Sequence, residues 1–562
     1  MEVSRRDLLK LLVVGATAGL TPRQVEADAS APEKLLEFPP LGNLTLLHLT
    51  DSHATLRPVF FREPSTRLGI GEGRGKPPYL TGIEFLRAYR IPPRTAAAYA
   101  VSSADFATLA ARYGRMGGYA HLATLIKRVR AERPGRTILL DGGDALQGSA
   151  TALWSRGEDM LRATNQLGVE IFTAHWEFIY GIDRVKELFG DRERPGAFRG
   201  DFIAQNVTEA GWDEPVFRPY TIREAGGVRV GVIGQAFPYT PISHPRRFVP
   251  DLTFGIHDER IQALVDELRT VRNVDLVVLL SHNGISVDVK LAQRVSGIDV
   301  ILGGHTHDGL PEPITRGRTL IVSSGSHGKF LSRLDLDVKN RRIADYRYRL
   351  IPVLSRAIPE DADMARLIQE VRAPHEALLG ERLAVSDTLL YRRGNFTGPF
   401  DELILDALLK RADAQVAFSP GFRWGISILP GQPITLDDVY SHTALTYPNT
   451  WVREMTGAEI HTIMEDVADN LFHPDPYYRQ GGDMVRLGGL TYTIEPAKPM
   501  GRRITDIQIA GKPLERQRSY KATGWASLGE ADGPPIWDVV AAHLRSLKRI
   551  RHAPRSQVRV VA

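Results

Sequence analysis

The 562-residue sequence predicts an α/β protein in which layered sheets carry polar side chains at the ends of their strands. Short apolar segments alternate with helical segments in the first part of the chain. Most of these apolar segments end in a turn that contains Gly, Asp or His, which is typical of functional loops in layered α/β folds. A second region with mixed helix and strand patterns begins near residue 383, so we expect a second α/β domain.

The elements of the first region follow from the positions of the apolar segments. Strands are predicted at Leu44–Thr50, Thr137–Leu140, Val228–Ile233, Leu276–Leu280, Val300–Leu302 and Leu320–Val322. Helices are predicted at Ala120–Arg130 and Ile261–Val271, and Leu334–Val338 with Tyr346–Leu350 predicts a closing hairpin. Glycines and prolines interrupt residues 54–113, which predicts a long insertion on the surface.

The second region is separated from the first by a change of pattern around residues 352–374. Asp361–Arg372 is predicted to form a helix that bridges two domains. The second region contains the patterned segments Phe400–Ala412, Ala414–Phe418 and Ile434–Val439 and ends in a tail near Trp537. We therefore expect one domain at 40–355, a linker helix within 356–380 and a second domain at 381–562.

Composition narrows the function classes. Hydrophobic residues make up 43% and charged residues 24% of the chain, as in ordinary globular proteins. The formal net charge of +5, from 71 basic and 66 acidic residues, is small for this length, so no nucleic-acid partner is expected. The chain contains no cysteine, which excludes disulfides, cysteine-based zinc sites, Fe–S clusters and a cysteine nucleophile.

The N-terminus has the order of a secretory signal. Arg5 and Arg6 precede an apolar run at Leu11–Leu20, and Ala27-Asp28-Ala29 offers a cleavage site. Paired arginines are typical of the twin-arginine route, and the apolar run is about half the roughly 20 residues that a membrane helix needs. We expect residues 1–29 to be a twin-arginine signal peptide. The mature protein would then be periplasmic and without a membrane anchor; the alternative is an ordinary helix with a basic start.

Polar side chains cluster where the predicted strands end. The candidates are Asp51, His53, Asp144, His175, His282, His305 and His307. In an Asp-x-His pair after a strand, both side chains should lie on one face because strand side chains alternate with a period of two. The same spacing joins His305 and His307, and neighbouring glycines allow a tight bend beside an ion. One isolated histidine is more often a core or surface residue, but this set predicts a metal site.

The donor types restrict the metal. Histidine nitrogens with carboxylate oxygens and no sulfur suit Mn, Fe, Co, Ni or Zn. The candidates exceed what one four-coordinate ion needs, so two ions bridged by a carboxylate, about 3.5–4 Å apart, are the economical arrangement. Such a pair acidifies a bound water molecule and binds an anionic tetrahedral group.

These loops, in this order, resemble the calcineurin-like metallophosphoesterases, and most closely the branch of periplasmic 5′-nucleotidases and UDP-sugar hydrolases. The matching motifs are Asp51-x-His53, Gly143-Asp144 to Gly148, Ala174-His175-Trp176-Glu177, His282 and Gly304-His305-x-His307. The resemblance implies an N-terminal four-layer α/β/β/α sandwich and a C-terminal 5′-nucleotidase-like α/β domain. It also implies that Asp144 bridges two ions, with Asp51, His53 and His307 completing one site and His175, His282 and His305 the other.

The second domain resembles the substrate-binding domain of the same branch. The segment Gly421-Phe422-Arg423 lies where the family places an arginine on the anionic group of the substrate. The resemblance therefore implies a substrate-binding role for Arg423, Gly421 and Phe422.

Two motifs depart from the nucleotidase pattern. In nucleotidases the third motif supplies an Asn ligand and then a catalytic His, whereas this chain has His175 and Trp176. The nucleotidase Asn-Gly-Gly-x-Arg motif has become Ser-Pro-Gly-Phe-Arg at residues 419–423. These changes fall where nucleotidases hold the nucleoside, so a nucleotide substrate is doubtful.

The altered segments resemble the dimanganese thiosulfohydrolases of the periplasmic sulfur-oxidising (Sox) system. The resemblance rests on residues 148–154, 175–178 and 481–486. It implies two Mn²⁺ ions and a substrate that is a cysteine S-thiosulfonate on the carrier protein SoxYZ, from which sulfate is released. A phosphatase or nucleotidase with the same metal site is the alternative, and a binding or scaffolding protein is a third class.

The predicted catalytic residues are Arg423, His175, Glu177 and Trp176. Trp176 either takes part in the site or only packs beside the metals. For Glu177, hydrogen bonding behind the ligands is favoured over a role as catalytic acid.

Overall fold

The computed structural model describes residues 32–190, 193–212, 214–553, 555 and 557–561. The predicted signal peptide, residues 1–29, lies outside this range. Among the described residues, no helix is both long enough and apolar enough to cross a membrane.

Twenty-five strands, several of only two residues, are described along the chain. In the first domain they are β1 (Leu44–Leu49), β2 (Thr137–Asp141), β3 (Ile171–Phe172), β4 (Asp201–Phe202), β5 (Val207–Glu209), β6 (Tyr220–Ala225), β7 (Val228–Gln235), β8 (Leu252–Phe254), β9 (Leu276–Ser281), β10 (Val300–Gly303), β11 (Ile314–Arg316), β12 (Thr319–Ser323), β13 (Phe330–Lys339) and β14 (Arg342–Pro352). In the second domain they are β15 (Arg382–Ser386), β16 (Val416–Ser419), β17 (Pro433–Thr435), β18 (Thr450–Thr456), β19 (Arg486–Gly488), β20 (Leu490–Ile494), β21 (Ile504–Ile509), β22 (Lys512–Pro513), β23 (Ser519–Trp525), β24 (Arg549–Ile550) and β25 (Val558–Val560).

The α-helices lie between these strands. In chain order they are α1 (Gly82–Ala88), α2 (Ala96–Val101), α3 (Phe106–Tyr113), α4 (Tyr119–Glu132), α5 (Ala150–Ser155), α6 (Glu158–Leu167), α7 (Ile182–Phe189), α8 (Thr240–Ser243), α9 (Asp258–Thr270), α10 (Ile285–Arg294), α11 (Ala362–Arg372), α12 (Glu376–Leu379), α13 (Pro399–Ala412), α14 (Leu436–Thr443), α15 (Gly457–Phe472) and α16 (Ile536–Leu547). The six strands predicted in the first domain are all present, and the predicted hairpin is β13–β14.

The first domain contains two six-stranded sheets. Their strand orders are β14-β13-β1-β2-β3-β4 and β11-β12-β10-β9-β7-β6. The strands β1 and β2 are parallel, as are β7, β9, β10 and β12, so their carboxyl ends meet at the same edge. Residues placed just after these strands are therefore brought together, as in other open α/β sheets.

The two sheets pack face to face through alternate strand residues. Leu46 and Leu140 of the first sheet are buried with Val230 and Val278 of the second in one apolar cluster. The intervening residues face helices, because α4 covers the outer face of the first sheet and α9 and α10 cover that of the second. The predicted four-layer α/β/β/α sandwich is confirmed.

The insertion, residues 54–113, is more ordered and more deeply packed than its glycines and prolines predict. It contains helices α1 to α3, and Tyr99 and Phe106 are buried in a cluster with Phe330 and Leu350 of the β13–β14 hairpin. The insertion therefore has a packed face that the sequence did not predict, where α2 and α3 lie against the hairpin. The glycines and prolines mark turns, whereas the apolar residues between them supply a core.

The insertion also forms hydrogen bonds with the second domain. The backbone N–H of Ser427 donates to the carbonyl of Phe60 (2.7 Å), and its hydroxyl accepts from the N–H of Arg62 (2.9 Å). The side-chain oxygen of Asn395 accepts from the N–H of Leu68 (2.6 Å). The insertion is thus bonded to one domain and packed into the core of the other.

The second domain is an α/β unit that follows helix α11, which forms over the predicted segment and packs against α4 and α6 of the first domain. The side chain of Asp361 caps this helix by accepting the N–H of Met364 (3.1 Å). Two four-stranded sheets, β18-β23-β16-β19 and β22-β21-β20-β25, and a three-stranded sheet β17-β15-β24 follow. The predicted segment Ile434–Val439 divides between β17 and α14, because Thr435 and Asp438 form a capping box that starts the helix.

Candidate metal centre

The seven predicted ligands converge at the carboxyl edges of the two sheets. Asp51 and His53 follow β1, Asp144 follows β2, His175 follows β3, His282 follows β9, and His305 and His307 follow β10. They form two buried quartets: Asp144 with His175, His282 and His305, and Asp51 with His53, Asp144 and His307. Within each quartet, one potential ligand atom of each residue lies within 4.8 Å of the others. These are the two sets that the family resemblance implies, and Asp144 belongs to both.

The backbone reason for this convergence differs from the predicted one. Asp51 (φ 53°) and His53 (φ 43°) lie beyond the end of β1 in the left-handed region, as do Asp144, His305 and His307. Strand alternation therefore does not orient these side chains; left-handed turns do. A non-glycine residue there costs roughly 1–3 kcal/mol, and such strain concentrates at functional sites.

Glycine is required at one position in these turns by close packing. A Cβ atom at Gly304 would lie 2.4 Å from the hydroxyl oxygen of Thr50 and 3.1 Å from Nδ1 of His282. Glycine thus allows the loop that carries His305 to approach the other ligand loops.

Glu177 holds the ligand loops from behind. Its carboxylate accepts the backbone N–H groups of Ala145 (2.9 Å), Leu146 (3.2 Å) and His175 (2.9 Å), and that of Asp144 (3.3 Å). The side chain is buried and does not line the cleft beside the metals. The structure therefore places Glu177 as a positioning residue, which corresponds to the favoured expectation from sequence.

The two carboxylates of the site have opposite pKa shifts. Burial opposes ionisation of Asp144, but His282 and His175 hold its pKa well below the usual value. Burial raises the pKa of Asp51 to about 7. Burial also disfavours the charged form of His282, but Asp144 and Asp51 raise its pKa to about 9. Without metal, His282 therefore takes a proton that faces Asp144 across 3.1 Å.

The ring nitrogens fit metal coordination. Nε2 of His53 and Nε2 of His307 face each other at 3.0 Å, although burial lowers the pKa of both rings. Nδ1 of His175 and Nδ1 of His305 have no hydrogen-bond partner among the described residues. Buried polar atoms are normally paired, so these lone pairs are available to an ion.

The second ring nitrogen of His282 and that of His305 already form hydrogen bonds to backbone carbonyls. Nδ1–H of His282 donates to the carbonyl of Gly142 (2.6 Å), and Nε2–H of His305 donates to that of Gln480 (2.9 Å). Such a bond orients a metal-binding imidazole and sets which nitrogen is free. The residues present therefore fit two divalent transition-metal ions held by nitrogen and oxygen donors.

Metal binding is expected to release protons and to strengthen as pH rises. In the metal-free protein, His282 holds a proton below about pH 9 and Asp51 below about pH 7, and an ion must displace both. Calorimetric Mn²⁺ titrations at pH 8 in buffers of different ionisation enthalpy should show release of about one proton, mainly from His282. Absence of release at pH 8, or affinity that falls between pH 7 and 9, would contradict this assignment.

An aromatic cleft of about 210 Å³ opens beside the two quartets. Trp176 forms one wall: its ring stacks on His244 (4.6 Å between centroids) and meets Trp424 edge-on (4.9 Å). Gly421 and Phe422 also line the cleft. Arg423 reaches it from the second domain and donates a hydrogen bond to the carbonyl of His305.

The structure adds two residues that sequence reasoning missed. His327 follows β12, its N–H donates to the carbonyl of Asp51 (2.8 Å), and its ring lies 5.6 Å from that of His53. The strand-end pattern used for the ligands could have found it. Gln147 accepts from Nδ1 of His53 (3.3 Å) and donates to the carbonyl of Ala444 (2.8 Å), a contact between domains that no sequence pattern signals.

Comparison with known proteins places this site in a family. Residues 385–534 match the sequence model of the domain described as 5′-nucleotidase, C-terminal domain. The solved structure of Thermus thermophilus sulfate thiohydrolase SoxB, in complex with glycerol, superposes with a TM-score of 0.90 at 39% identity, over 93% of this chain and 98% of that one. The chain belongs to the 5′-nucleotidase family of metallophosphoesterases, in the branch that contains SoxB.

More distant members of the family share the same organisation. A 5′-nucleotidase precursor from Thermus thermophilus superposes with a TM-score of 0.70 at 23% identity, over 92% of this chain and 99% of that one, which supports the common fold. Rat 5′-nucleotidase is 27% identical over 307 residues, which cover 50% of this chain and 51% of that protein, so the alignment spans about half of the relative. The protein is therefore a hydrolase of this family with a buried site suited to two metal ions.

Proposed function

We propose that the protein is a thiosulfohydrolase of the SoxB type, with two Mn²⁺ ions. The substrate would be a cysteine S-thiosulfonate on the carrier protein SoxYZ. The protein would be exported to the periplasm by the twin-arginine route, and there the reaction would form part of thiosulfate oxidation. The 39% identity with SoxB over nearly the whole chain supports this proposal.

The observation that carries the proposal is the chemistry of the cleft wall. Apart from the ligand candidates, its titratable residues are Tyr239 and Arg423. Burial raises the pKa of Tyr239 to about 12 and lowers that of Arg423 to about 10. Neither group readily gives up a proton at neutral pH, and the family resemblance implies that Trp176 takes the place of the nucleotidase catalytic His. The cleft therefore suits a leaving group that needs little protonation.

A sulfur leaving group meets this requirement. Cysteine thiols ionise near pH 8.5, far more readily than the alcohol released from a phosphate ester. In the proposed hydrolysis, the oxygen of water bonds to the sulfonate sulfur, the bond between that sulfur and the neighbouring sulfane sulfur breaks, and the carrier leaves as a persulfide. The products are sulfate and protons, and no electrons are exchanged with a co-reactant.

The residues of the chain have separate tasks in this reaction. Two ions held by the quartets would lower the pKa of a water molecule and withdraw charge from the sulfonate oxygens. The planar guanidinium of Arg423 can form paired, charge-assisted hydrogen bonds to an oxyanion. Trp176, Phe422 and Trp424 pack against one another and form an aromatic wall of the cleft.

A nucleotidase or UDP-sugar hydrolase is the second candidate function. The match of residues 385–534 to the 5′-nucleotidase C-terminal domain favours it, as do the nucleotidase relatives. Its difficulty is chemical, because an alcohol leaving group would receive no proton from Trp176.

The deciding experiment uses purified, manganese-loaded protein and three substrates in parallel. These are a carrier protein bearing a cysteine S-thiosulfonate, AMP and UDP-glucose. Sulfate release from the carrier with negligible phosphate release from the nucleotides would establish the proposal. Phosphate release without sulfate release would establish the nucleotidase alternative, and turnover of none of them would favour a binding or scaffolding role.

Replacement of Trp176 by histidine is expected to leave thiosulfonate hydrolysis no faster. The imidazole would restore a proton donor that a persulfide leaving group does not need, and loss of the indole contacts with His244 and Trp424 should cost about 2 kcal/mol of stability. Sulfate release and thermal unfolding measure the two effects. Trp154→His, at a partly exposed tryptophan outside the cleft, is the control. A tenfold gain in sulfate release by the Trp176 variant would refute the leaving-group argument.

A further inference from the structure

A second cavity adjoins the aromatic cleft on the other side of Arg423. It has a volume of about 80 Å³ and shares Arg423, Asn470, Gly481 and Gly482 with the aromatic cleft. None of the seven ligand candidates lines it. Four arginines do, and we call this cavity the arginine chamber: Arg67 from the insertion and Arg393, Arg423 and Arg479 from the second domain.

Three of the four arginines of the chamber, Arg67, Arg393 and Arg423, are close enough to repel one another. Burial, together with the charges of Arg393 and Arg423, lowers the pKa of Arg67 to about 10. The pKa of Arg423 is also about 10, because of burial and the charge of Arg393. Asp483 is the one acidic residue in the described lining, and it is engaged by Arg486 (3.0 Å) and by the side chain of Asn395.

Two of the four guanidinium groups have carboxylate partners and two do not. Arg67 is paired with Asp308 (2.7 Å), and Arg393 with Glu63 (3.3 Å). Arg423 and Arg479 donate to backbone carbonyls, and in the part of the chain that the structure describes no carboxylate forms an ion pair with either. The chamber therefore has positive charge that its own acidic residues do not neutralise.

A helix N-terminus adds to this positive potential. Helix α10 begins at Ile285, and Asn283, Gly284, Ser286 and Val287 around its first turn line the chamber. The first N–H groups of a helix and its macrodipole favour an anion at this end. The hydroxyl groups of Ser286 and Tyr79, which hydrogen-bond to each other, lie in the same wall.

We propose that the arginine chamber is a second oxyanion site that takes one small tetrahedral dianion. Resting on the proposed function, the dianion is sulfate released in the metal cleft. Arg423 lines both cavities, so it can contact the sulfonate before the sulfur–sulfur bond breaks and the sulfate afterwards. Sulfate would thus leave by a path separate from the aromatic cleft that holds the carrier's cysteine.

The lining favours sulfate over phosphate. Guanidinium groups, helix N–H groups and the side-chain amide of Asn470 offer donors, and the one carboxylate is already engaged. At neutral pH phosphate carries at least one O–H that needs an acceptor, whereas sulfate carries none. The small volume also excludes the base and sugar of a nucleotide.

The location of the site can be tested without turnover. Crystals of the manganese-loaded protein are soaked in selenate, which is an anomalous scatterer with the shape and charge of sulfate. We expect an anomalous peak in the chamber within hydrogen-bond distance of Arg67 or Arg479, whether or not a second peak lies at the metals. A peak at the metals alone would overturn the proposal.

Calorimetric titration with sodium sulfate tests the same site in solution. Arg479→Gln should weaken sulfate binding by about tenfold or more, since a charged hydrogen-bond donor is lost. Arg67→Lys, which keeps a charge opposite Asp308 but loses the planar fork, should show a smaller loss. Arg62→Gln is the matched control, because Arg62 belongs to the same insertion and does not line the chamber, and sulfate affinity should not change.

The remaining outcomes are also decisive. Equal sulfate affinity in Arg479→Gln and the unaltered protein would overturn the proposal, and so would phosphate binding as tight as that of sulfate. These measurements need no carrier protein. Failure of sulfate release from the carrier would therefore refute the proposed function and leave the anion site standing.

Discussion

The Asp144→Asn protein is expected to fold normally, to bind divalent metal at least ~100-fold more weakly and, under the proposed function, to release no measurable sulfate. Asp144 is the one residue that both quartets share. Loss of a residue that merely orients a ligand typically costs 10–100-fold in metal affinity, so loss of a shared ligand should cost more.

The expectation of normal folding rests on the surroundings of Asp144. One carboxylate oxygen accepts the N–H of Trp176 (2.8 Å), and an asparagine oxygen can keep that bond. The other oxygen faces Nε2 of His282 (3.1 Å), where the amide would place a neutral group. The change therefore removes charge and coordination with little change of shape.

Metal content by elemental analysis, Mn²⁺ titration and sulfate release measure these effects. Asp159→Asn is the matched control, because Asp159 is also buried but belongs to neither quartet. Two tightly bound ions in Asp144→Asn would show that the assignment of the shared carboxylate is wrong.

Glu177→Gln is expected to lower both metal affinity, by about 10–100-fold, and stability, by about 3 kcal/mol. The carboxylate accepts N–H groups from the loops of Asp144 and His175, with no donor of its own. A glutamine would direct an NH₂ group at one set of these N–H groups, which would leave buried donors unpaired.

The control for this second prediction is Glu465→Gln. Glu465 is likewise buried and accepts two backbone N–H groups, those of Gly501 (2.8 Å) and Ile504 (2.7 Å), in the second domain. The Glu465→Gln protein should have a lower free energy of unfolding in urea but should bind Mn²⁺ with unchanged affinity. If Glu177→Gln behaved in the same way as Glu465→Gln, Glu177 would support the fold and not the ligands.

The sequence was sufficient for the central strands of the first domain and for the candidate ligands, but not for β3, β4, β6 and β11 of the same sheets. Buried strands such as β9 and β10 are continuous apolar runs, and their boundaries are visible because a polar or glycine residue must follow where the sheet ends. The ligands follow the same rule, since parallel strands deliver their carboxyl ends to one edge. His327, after β12, obeys it too and was missed because its neighbours match no known motif.

The features that could not be predicted depend on contacts between distant segments or on the backbone. The left-handed conformations of Asp51 and His53 cannot be inferred from residue type alone, because only a few per cent of non-glycine residues adopt them, even though Asp and His do so more often than most. The position of Glu177 behind the ligands follows from four backbone N–H groups, which every sequence contains. The packing of the insertion against the hairpin was missed because its glycine and proline content describes its turns and not the apolar faces between them.

The hydrogen bonds from the insertion to Ser427 and Asn395 have a consequence for how substrate is exchanged. If the second domain were to swing away from the first, these bonds would have to break together with the contacts that Gln147 and Arg423 make across the same boundary. Separation of the domains would have to offset the loss of all these bonds at once, so we expect the two domains to keep this arrangement while substrate is exchanged. We therefore expect the substrate to enter through an opening of constant width. A narrow substrate carried on a protein arm fits such an opening better than a compact ligand that the domains would have to close around.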